Sequence, residues 1–264
     1  MLCYGFLVAT PAELRTTNKT HLRLLHKSVT RSEWQSADVH DEANMLVAHG
    51  EIVMSSDERQ YMRALATTAT RRGGAVLEIG FGMGIASSMI QEELSVARHF
   101  IVEANHQVLQ RCLAWKSRLG QMCAREDPVS SSRPVGSNAA AAIHCIDGFW
   151  EEVMPFLADS SLDAILFDPY PAIVTFEFLR VASRLLKPGG VLTFYLARPH
   201  FVPSAASDQD FWKAQQEQLA RAGFAVADVP EHLMLRVRDD CGAPQLATCF
   251  YRYLAFLVPV AVKR

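Results

Sequence analysis

Three closely spaced glycines, Gly80, Gly82 and Gly84, are the residues of this chain best suited to binding a ligand. They follow the apolar run 75–79 and precede the helix-forming run 85–93. Glycine lets the backbone bend sharply and approach a ligand closely, and the helix that follows directs free N–H groups at that ligand. The pattern is shared by sheets that bind dinucleotides and sheets that bind S-adenosylmethionine, and it also arises by chance. It therefore predicts a nucleotide-cofactor loop without naming the cofactor.

Two acidic residues stand where predicted strands end. Glu103 follows an apolar run about 20 residues after the glycines, the spacing expected for an acid that binds ribose hydroxyls. Asp168 follows the apolar run 162–167, and the carboxyl ends of parallel strands form the edge where open α/β sheets bind ligands. Each acid also has a purely structural alternative. Glu103 could cap the helix predicted from residue 105, and Asp168 could begin a turn before Pro169.

Strands and helices alternate from residue 75 onward and would position these residues. The pattern predicts strands at 75–80, 98–103, 141–146, 162–168 and 190–197, with helices at 84–94, 105–119 and 174–187. A helix at 208–222 and strands at 224–237 and 247–261 follow. This alternation is typical of a parallel sheet with helices on both faces.

Further motifs occur in the order found in one enzyme family. They are Thr20-His21-Leu22-Arg23-Leu24-Leu25, Val53-Met54, Tyr61-Met62, Leu77-Glu78-Ile79-Gly80-Phe81-Gly82-Met83, Ile101-Val102-Glu103, Gly148-Phe149-Trp150-Glu151 and Leu186-Lys187-Pro188-Gly189-Gly190-Val191-Leu192-Thr193. With the Asp168 turn, these motifs resemble the guanidinoacetate N-methyltransferase family and its arginine δ-N-methyltransferase relatives, and they cover most of the chain.

The resemblance implies a fold and a cofactor. The fold is an α/β, Rossmann-like class I methyltransferase with a mostly parallel seven-stranded sheet, whose last two strands pair antiparallel at its edge. Residues 1–70 are expected to form an N-terminal helical cover and residues 71–264 the core, within one compact domain overall. The implied cofactor is S-adenosylmethionine.

The resemblance also implies which residues contact that cofactor. They are Met54, Glu78, Gly80, Gly82, Met83, Glu103, Phe149, Trp150 and Asp168. Phe149 and Trp150 would flank the adenine. The alternative for the two methionines and the two aromatic residues is ordinary core packing.

Methyl transfer to a guanidino group requires a carboxylate. A guanidinium must lose a proton as it attacks, and a carboxylate can both bind it in bidentate fashion and accept that proton. By resemblance, Asp168 occupies the position of the catalytic acid, and Glu58, counted back from Tyr61, that of a second carboxylate on the cover. Glu58 also fits a helix start with acids in its first turn. The expected substrate contacts are Glu58, Asp168, Tyr170, Arg198 and Tyr251.

Departures from the family pattern affect the substrate side. Pro169 replaces a threonine of the family's turn, and the run Phe194 to Pro199 lacks the polar contacts of the guanidinoacetate enzymes, which puts creatine synthesis in doubt. Arg198 in this run could bind a carboxylate or phosphate of a different guanidino substrate, or it could be a solvent-facing loop residue. Roughly 20 extra residues lie between Val29 and Val53, and they could reshape the pocket or form a neutral surface insertion. A second insertion, including 126–142, has the composition of a disordered loop.

Composition narrows the function classes. A net charge of −2 over 264 residues provides no basic surface for nucleic acid, and no apolar run approaches the length of a membrane span. The six cysteines form no C-x-x-C pair and are expected to be reduced thiols in a cytoplasmic protein, and no histidine spacing predicts a metal site. We expect a small-molecule substrate and a monomer or homodimer.

The leading hypothesis is an S-adenosylmethionine-dependent N-methyltransferase that acts on a small guanidino or amidino compound. A second hypothesis is methylation of arginine within a protein, as in the δ-N-methyltransferase relatives. A third is methylation of a non-guanidino atom in a natural product. The fourth is a scaffold protein that retains the cofactor but has lost catalysis.

Overall fold

The computed structural model describes residues 29–93, 95–125, 142–170, 172, 174–199, 208–226 and 254–264. Its strands are β1 (Val39–Glu42), β2 (Met45–Ala48), β3 (Glu51–Ser55), β4 (Gly74–Ile79), β5 (Val96–Glu103), β6 (Ala142–Asp147), β7 (Leu162–Phe167), β8 (Leu186–Phe194), β9 (Leu196–Pro199), β10 (Phe224–Val226), β11 (Leu254–Leu257) and β12 (Ala261–Lys263). Its α-helices are α1 (Arg31–Gln35), α2 (Arg59–Thr70), α3 (Ile85–Glu92), α4 (His106–Arg125), α5 (Trp150–Val153), α6 (Phe176–Leu185) and α7 (Asp208–Arg221).

Seven of these strands form one sheet in the order β10-β12-β8-β7-β4-β5-β6. The five strands from β8 to β6 are parallel, whereas β12 pairs antiparallel with both β8 and β10. This arrangement confirms the predicted fold class, including the antiparallel pair at the edge. Strand β4 lies between β7 and β5, so the glycine loop at its end is flanked by the ends of the strands that precede Asp168 and contain Glu103.

Alternating side chains of the sheet build two hydrophobic cores. In β4, Val76 belongs to one core, while Leu77 and Ile79 belong to the other. Side chains of α2, α3 and α4 complete the first core, and those of α5, α6 and α7 complete the second. Because successive residues of a strand face opposite sides, this near-continuous apolar strand is buried on both faces, as parallel sheets require.

The segment before β4 differs from the expected helical cover. Its described part contains α1 and α2, but β1, β2 and β3 between them form a separate antiparallel sheet. The expectation of a mainly helical segment is therefore wrong for residues 39–55, which overlap the first insertion. The division of the chain at residue 70 stays a prediction.

Two boundaries also differ from prediction. Strand β8 already begins at Leu186, so the predicted turn at Lys187 to Gly190 lies within the strand, where Gly189 has a φ of 75°. The predicted strand at 247–261 is divided: β11 pairs with β9, and β12 joins the large sheet. Three stretches lie outside the described residues: residues 1–28, residues 126–141 of the second insertion, and most of the predicted strand 224–237. No helix in the described part of the chain has the length and apolar character needed to cross a membrane.

Candidate active site

The glycine loop after β4 packs directly against two other parts of the site. Gly80 has a φ of 91°, and a Cβ there would collide with the carbonyl oxygen of Asp168. Gly82 has a φ of 54°, and a Cβ there would lie 2.7 Å from the sulfur of Met54. The same sulfur accepts a hydrogen bond from the backbone N–H of Met83 at 3.2 Å. A side chain at position 80 would therefore collide with main-chain atoms, and the loop holds Met54 and the Asp168 turn close together.

Glu103, the last residue of β5, is a buried carboxylate held by backbone amides. Its Oε2 accepts a hydrogen bond from the N–H of Phe81 at 2.9 Å, and its Oε1 accepts one from the N–H of Asn105 at 2.8 Å. Burial raises the pKa of this carboxyl, and the amides of Phe81 and Asn105 partly offset that rise. The carboxylate thus fixes the glycine loop to the start of α4, which agrees in part with the capping alternative.

Glu78, inside β4, is also buried, but side chains hold it. Its Oε2 accepts hydrogen bonds from the hydroxyl of Ser87 at 2.6 Å and from the ring of His99 at 2.9 Å. The opposite nitrogen of the His99 ring lies 2.9 Å from the amide nitrogen of Gln91.

Asp168 follows β7 at the carboxyl ends of the parallel strands, and its described hydrogen bond to the sheet is made by its backbone. Its N–H donates to the carbonyl of Ile79 at 2.9 Å, whereas its carboxylate accepts no hydrogen bond from any described residue. Burial of the carboxyl, followed by the nearby charges of Glu58 and Glu78, raises the pKa of Asp168 well above its usual range. Such a carboxyl is a stronger base than an exposed one.

Glu58 approaches from the other side, on the short 3-10 turn that precedes α2. It is buried, and its Oε1 accepts a hydrogen bond from the N–H of Ser55 at 3.2 Å in a capping box. The helix-start alternative for Glu58 is therefore correct, yet the residue also lines the cleft beside Asp168.

Burial raises the pKa of the adjacent Tyr61 hydroxyl well above its usual range, and Asp168 and Glu58 add to the rise. This protonated hydroxyl accepts a hydrogen bond from the N–H of Leu196 at 2.8 Å.

Four carboxylates line one cleft of about 700 Å³, which we call the acidic cleft: Glu58, Glu78, Glu103 and Asp168. Its other walls include Trp34, Ile52, Met54, Tyr170 and Tyr195. No lysine, arginine or histidine is among the described residues that line it. Across the described ranges, no group of three or more side chains has the arrangement of a metal site.

A second cleft of about 720 Å³, the aromatic cleft, adjoins the first. Both contain Trp34, Gly80, Glu103 and Tyr170, so they meet at Glu103. Phe149 and Trp150 also line the aromatic cleft, although the ring of Trp150 packs in the core against Phe178 at 5.3 Å between centroids.

The first insertion forms part of the wall of both clefts. The hydroxyl of Tyr170 donates to Oε2 of Glu51 in β3 at 3.1 Å, and the ring of Trp34 lies 4.7 Å from that of Tyr170. The side-chain amide of Asn105 donates to the carbonyls of Trp34 and Ala37 at 2.8 and 2.9 Å. The insertion is therefore docked on the sheet edge, and the reading of it as a neutral surface insertion is wrong.

The family whose sequence pattern matches this chain is described as guanidinoacetate N-methyltransferase, and the match covers residues 18–124 and 136–264. The chain belongs to this family. The order and direction of its sheet strands match the fold that membership of this family implies.

Curated relatives include two fungal proteins named protein arginine N-methyltransferase 2. The protein from Gibberella zeae is 31% identical over 150 residues, which is 54% of this chain and 32% of the relative. The one from Eremothecium gossypii is 29% identical over 152 residues, again 54% of this chain and 32% of the relative. The chain thus spans about a third of the length of these relatives.

Solved structures with the same fold include spermidine synthase from Thermotoga maritima, with a TM-score of 0.54 and 16% identity over 86% of this chain and 69% of that one. TYW2 of M. jannaschii in complex with AdoMet has a TM-score of 0.52 and 12% identity over 87% of each chain. At such identities the likeness shows the fold alone.

The site brings together most residues expected from the guanidinoacetate N-methyltransferase pattern, namely Met54, Glu58, Glu78, Gly80, Gly82, Met83, Glu103, Phe149, Trp150, Asp168 and Tyr170. Arg198 lies in β9 opposite Ala255, but its side chain is outside the described residues, as is all of Tyr251. Sequence reasoning missed Trp34, Glu51, His99 and Tyr195. His99 has no clear local signal, because in the sequence it follows Arg98 at the start of the predicted strand 98–103.

Proposed function

We propose that this chain transfers a methyl group from S-adenosylmethionine to a nitrogen of a guanidino group. The observation that carries the proposal is the pair of neighbouring carboxylates, Glu58 and Asp168, in a cleft whose described lining has no cationic side chain. A guanidinium offers five N–H donors and a delocalised charge, so two carboxylates match it as one bidentate clamp and one further acceptor.

The residues at the sheet edge fit the cofactor. Glu103, where the two clefts meet, suits the ribose hydroxyls, and the aromatic cleft beside Phe149 suits the adenine. Glu78 in the acidic cleft suits the α-ammonium group, because this carboxylate is buried and none of the described residues that line the cleft is a lysine or an arginine. Met54 and Met83 border the glycine loop between these positions. When bound, S-adenosylmethionine supplies an electrophilic methyl group.

The protein's own contribution would be orientation and proton removal. Asp168 and Glu58 hold the acceptor so that one nitrogen faces the methyl group, and this alignment lowers the barrier. Because its pKa is raised, Asp168 is a stronger base than an ordinary aspartate, and proton transfer to it from a guanidinium is more favourable. Buried walls such as Trp34 and Met54 exclude water from the acidic cleft.

A small guanidino compound is the acceptor that we favour. The first insertion covers the sheet edge through Trp34 and the contact between Glu51 and Tyr170, which narrows the approach to the paired acids. The similarity to two protein arginine N-methyltransferases supports a second candidate, an arginine side chain within a protein.

One labelling experiment separates these candidates. Radiolabelled S-adenosylmethionine is incubated with guanidinoacetate, arginine or agmatine, and in parallel with arginine-rich proteins, using wild-type enzyme and Asp168→Asn. We expect label on a free guanidino compound and its loss in the variant. Label only on protein would favour the second candidate, and cofactor binding without transfer to any acceptor would overturn the guanidino proposal.

A further inference from the structure

The middle of β5 contains a fully buried histidine. His99 has no exposed surface, and both of its ring nitrogens are engaged. Its Nε2 lies 2.9 Å from Oε2 of Glu78 in β4, and its Nδ1 lies 2.9 Å from the amide nitrogen of Gln91 in α3. Burying a histidine costs free energy unless its polar atoms are hydrogen-bonded. Here Gln91, His99 and Glu78 form one continuous chain of hydrogen bonds that meets this requirement.

The chemistry of the partners fixes where the ring proton lies. An ionised carboxylate only accepts hydrogen bonds, so Nε2 of His99 must carry a proton and donate it to Glu78. With the Gln91 amide oriented as in the structure, its nitrogen donates to Nδ1. If that amide were reversed, Nε2 would still be the donor to Glu78.

The donors to Glu78 converge on one of its two oxygens. Ser87 donates to Oε2 at 2.6 Å, and His99 donates to the same atom. Oε1 accepts no hydrogen bond from any described residue, although the side chain is almost fully buried and lines the acidic cleft. The network therefore fixes Oε2 of Glu78 and leaves Oε1, on a side chain that lines the cleft, without a donor among the described residues.

We propose that His99 is a positioning residue that orients Glu78 toward the α-ammonium group of the cofactor. The inference rests on the proposed role of Glu78 in cofactor binding and is independent of the methyl acceptor. His99 does not touch the cofactor in this scheme. It joins β5 to β4, while Ser87 and Gln91 join both to the helix that follows the glycine loop. Without the ring, Glu78 loses its strand-borne donor, and its carboxylate can turn away from the cleft.

The test compares two ligands by isothermal titration calorimetry, with no acceptor present. S-adenosylhomocysteine and methylthioadenosine share the adenosine and the thioether, but only the former has an α-ammonium group. For His99→Leu we expect the Kd of S-adenosylhomocysteine to rise about 10- to 100-fold, as for a lost hydrogen bond to a charged group, with the Kd of methylthioadenosine nearly unchanged. His99→Gln, which restores an N–H donor, should recover much of the affinity.

A matched control exists on the neighbouring strand. His144 in β6 is the register partner of Phe100 and stacks on its ring at 4.9 Å between centroids. His144→Leu should leave both affinities unchanged. Gln91→Leu keeps the ring but removes its far partner, so it should produce a smaller loss for the same ligand, and it serves if His99→Leu does not fold.

Several results would overturn the proposal. Equal weakening for both ligands in the His99 and Gln91 variants, or no weakening for either, would leave His99 as a core residue only. The same conclusion would follow if the loss of binding free energy in the double variant Glu78→Gln/His99→Leu equalled the sum of the losses in the two single variants. Residues that act through one another do not give additive losses. If wild-type protein binds the two ligands equally well, the assignment of Glu78 to the ammonium group is wrong instead.

Discussion

Glu103 and Asp168 stand at the ends of strands on either side of β4, yet the protein holds them in opposite ways. Backbone amides of Phe81 and Asn105 bind both oxygens of Glu103. The carboxylate of Asp168 accepts no hydrogen bond from the described residues, and the neighbouring Glu58 raises its pKa further above the level set by burial.

Glu103 is therefore fixed in its geometry before any ligand binds, whereas Asp168 is held in an electrostatically unfavourable environment. A buried anion bound by several amides is stable in place and can present a fixed geometry. A buried acid beside a like charge is destabilised until a cation or a proton arrives. The first arrangement suits ligand binding, and the second suits cation capture and proton transfer.

Asp168→Asn tests the comparison most severely. If Asp168 is the base, kcat/KM for an accepted guanidino compound should fall about 10²- to 10⁴-fold, while the Kd for S-adenosylhomocysteine should change far less. Steady-state kinetics and calorimetry measure the two quantities.

Asp163→Asn is the matched control, because Asp163 lies at the opposite end of β7 and pairs there with Lys187 at 2.7 Å. Its kcat/KM should stay near that of wild type. Retention of more than about a tenth of wild-type kcat/KM in Asp168→Asn would contradict a base role, since general bases usually contribute more.

Glu103→Gln should act on binding rather than on chemistry. The amide would set an N–H group against the N–H of Phe81 or Asn105, and the negative charge that we propose for ribose recognition would be lost. We expect the Kd for S-adenosylhomocysteine to rise about 10- to 100-fold, with kcat at saturating cofactor nearly unchanged. A fall in kcat as large as that of Asp168→Asn would remove the distinction between the two acids.

The pH profile tests the electrostatic part of the comparison. Because the pKa of Asp168 is raised, first by burial and then by Glu58, the acid limb of kcat/KM should lie at higher pH than for an ordinary aspartate. Glu58→Gln removes the neighbouring charge, so the limb should move to lower pH even though the rate falls. If the acid limb of the kcat/KM profile does not move in Glu58→Gln, that limb does not arise from titration of Asp168 beside Glu58.

Stability should respond to Asp168→Asn in the opposite direction from activity. Folded Asp168 holds its proton more tightly than the unfolded chain does, so wild type loses stability as pH rises from about 4 through the raised pKa. The variant should therefore have a higher Tm than wild type at pH 8. Thermal unfolding across pH measures this gain, which should vanish near pH 4; a gain independent of pH would have another origin.

The smallest effect is expected at the cover. Tyr170→Phe removes the hydrogen bond to Glu51 but keeps the ring against Trp34, so the KM for the acceptor should rise less than about tenfold. Trp34→Ala, which removes the ring itself, should have the larger effect on KM. A tyrosine variant without acceptor activity would mean that the hydroxyl takes part in the reaction.

The two acids also differ in what the sequence could predict about them. Glu103, the glycine loop and the sheet follow from local patterns, because an apolar strand, a glycine turn and an acid at fixed spacing are all readable along the chain. The antiparallel sheet of the first insertion was missed because its tight turns place Ala43 and His49, and not only glycine, at positive φ. Which described residues donate a hydrogen bond to the Asp168 carboxylate, here none, depends on packing in three dimensions, and no local sequence pattern records that.

The close approach of Gly80 to the Asp168 carbonyl bears on how enzymes of this type diversify. This contact and the hydrogen bond that the N–H of Asp168 donates to the carbonyl of Ile79 hold the backbone of Asp168 through main-chain atoms. We therefore expect substitutions on the inserted sheet to change the wall of the cleft while the backbone of Asp168 keeps its place. The antiparallel sheet β1-β2-β3 could therefore be replaced, in evolution or by protein engineering, without changing the main-chain contacts of Asp168.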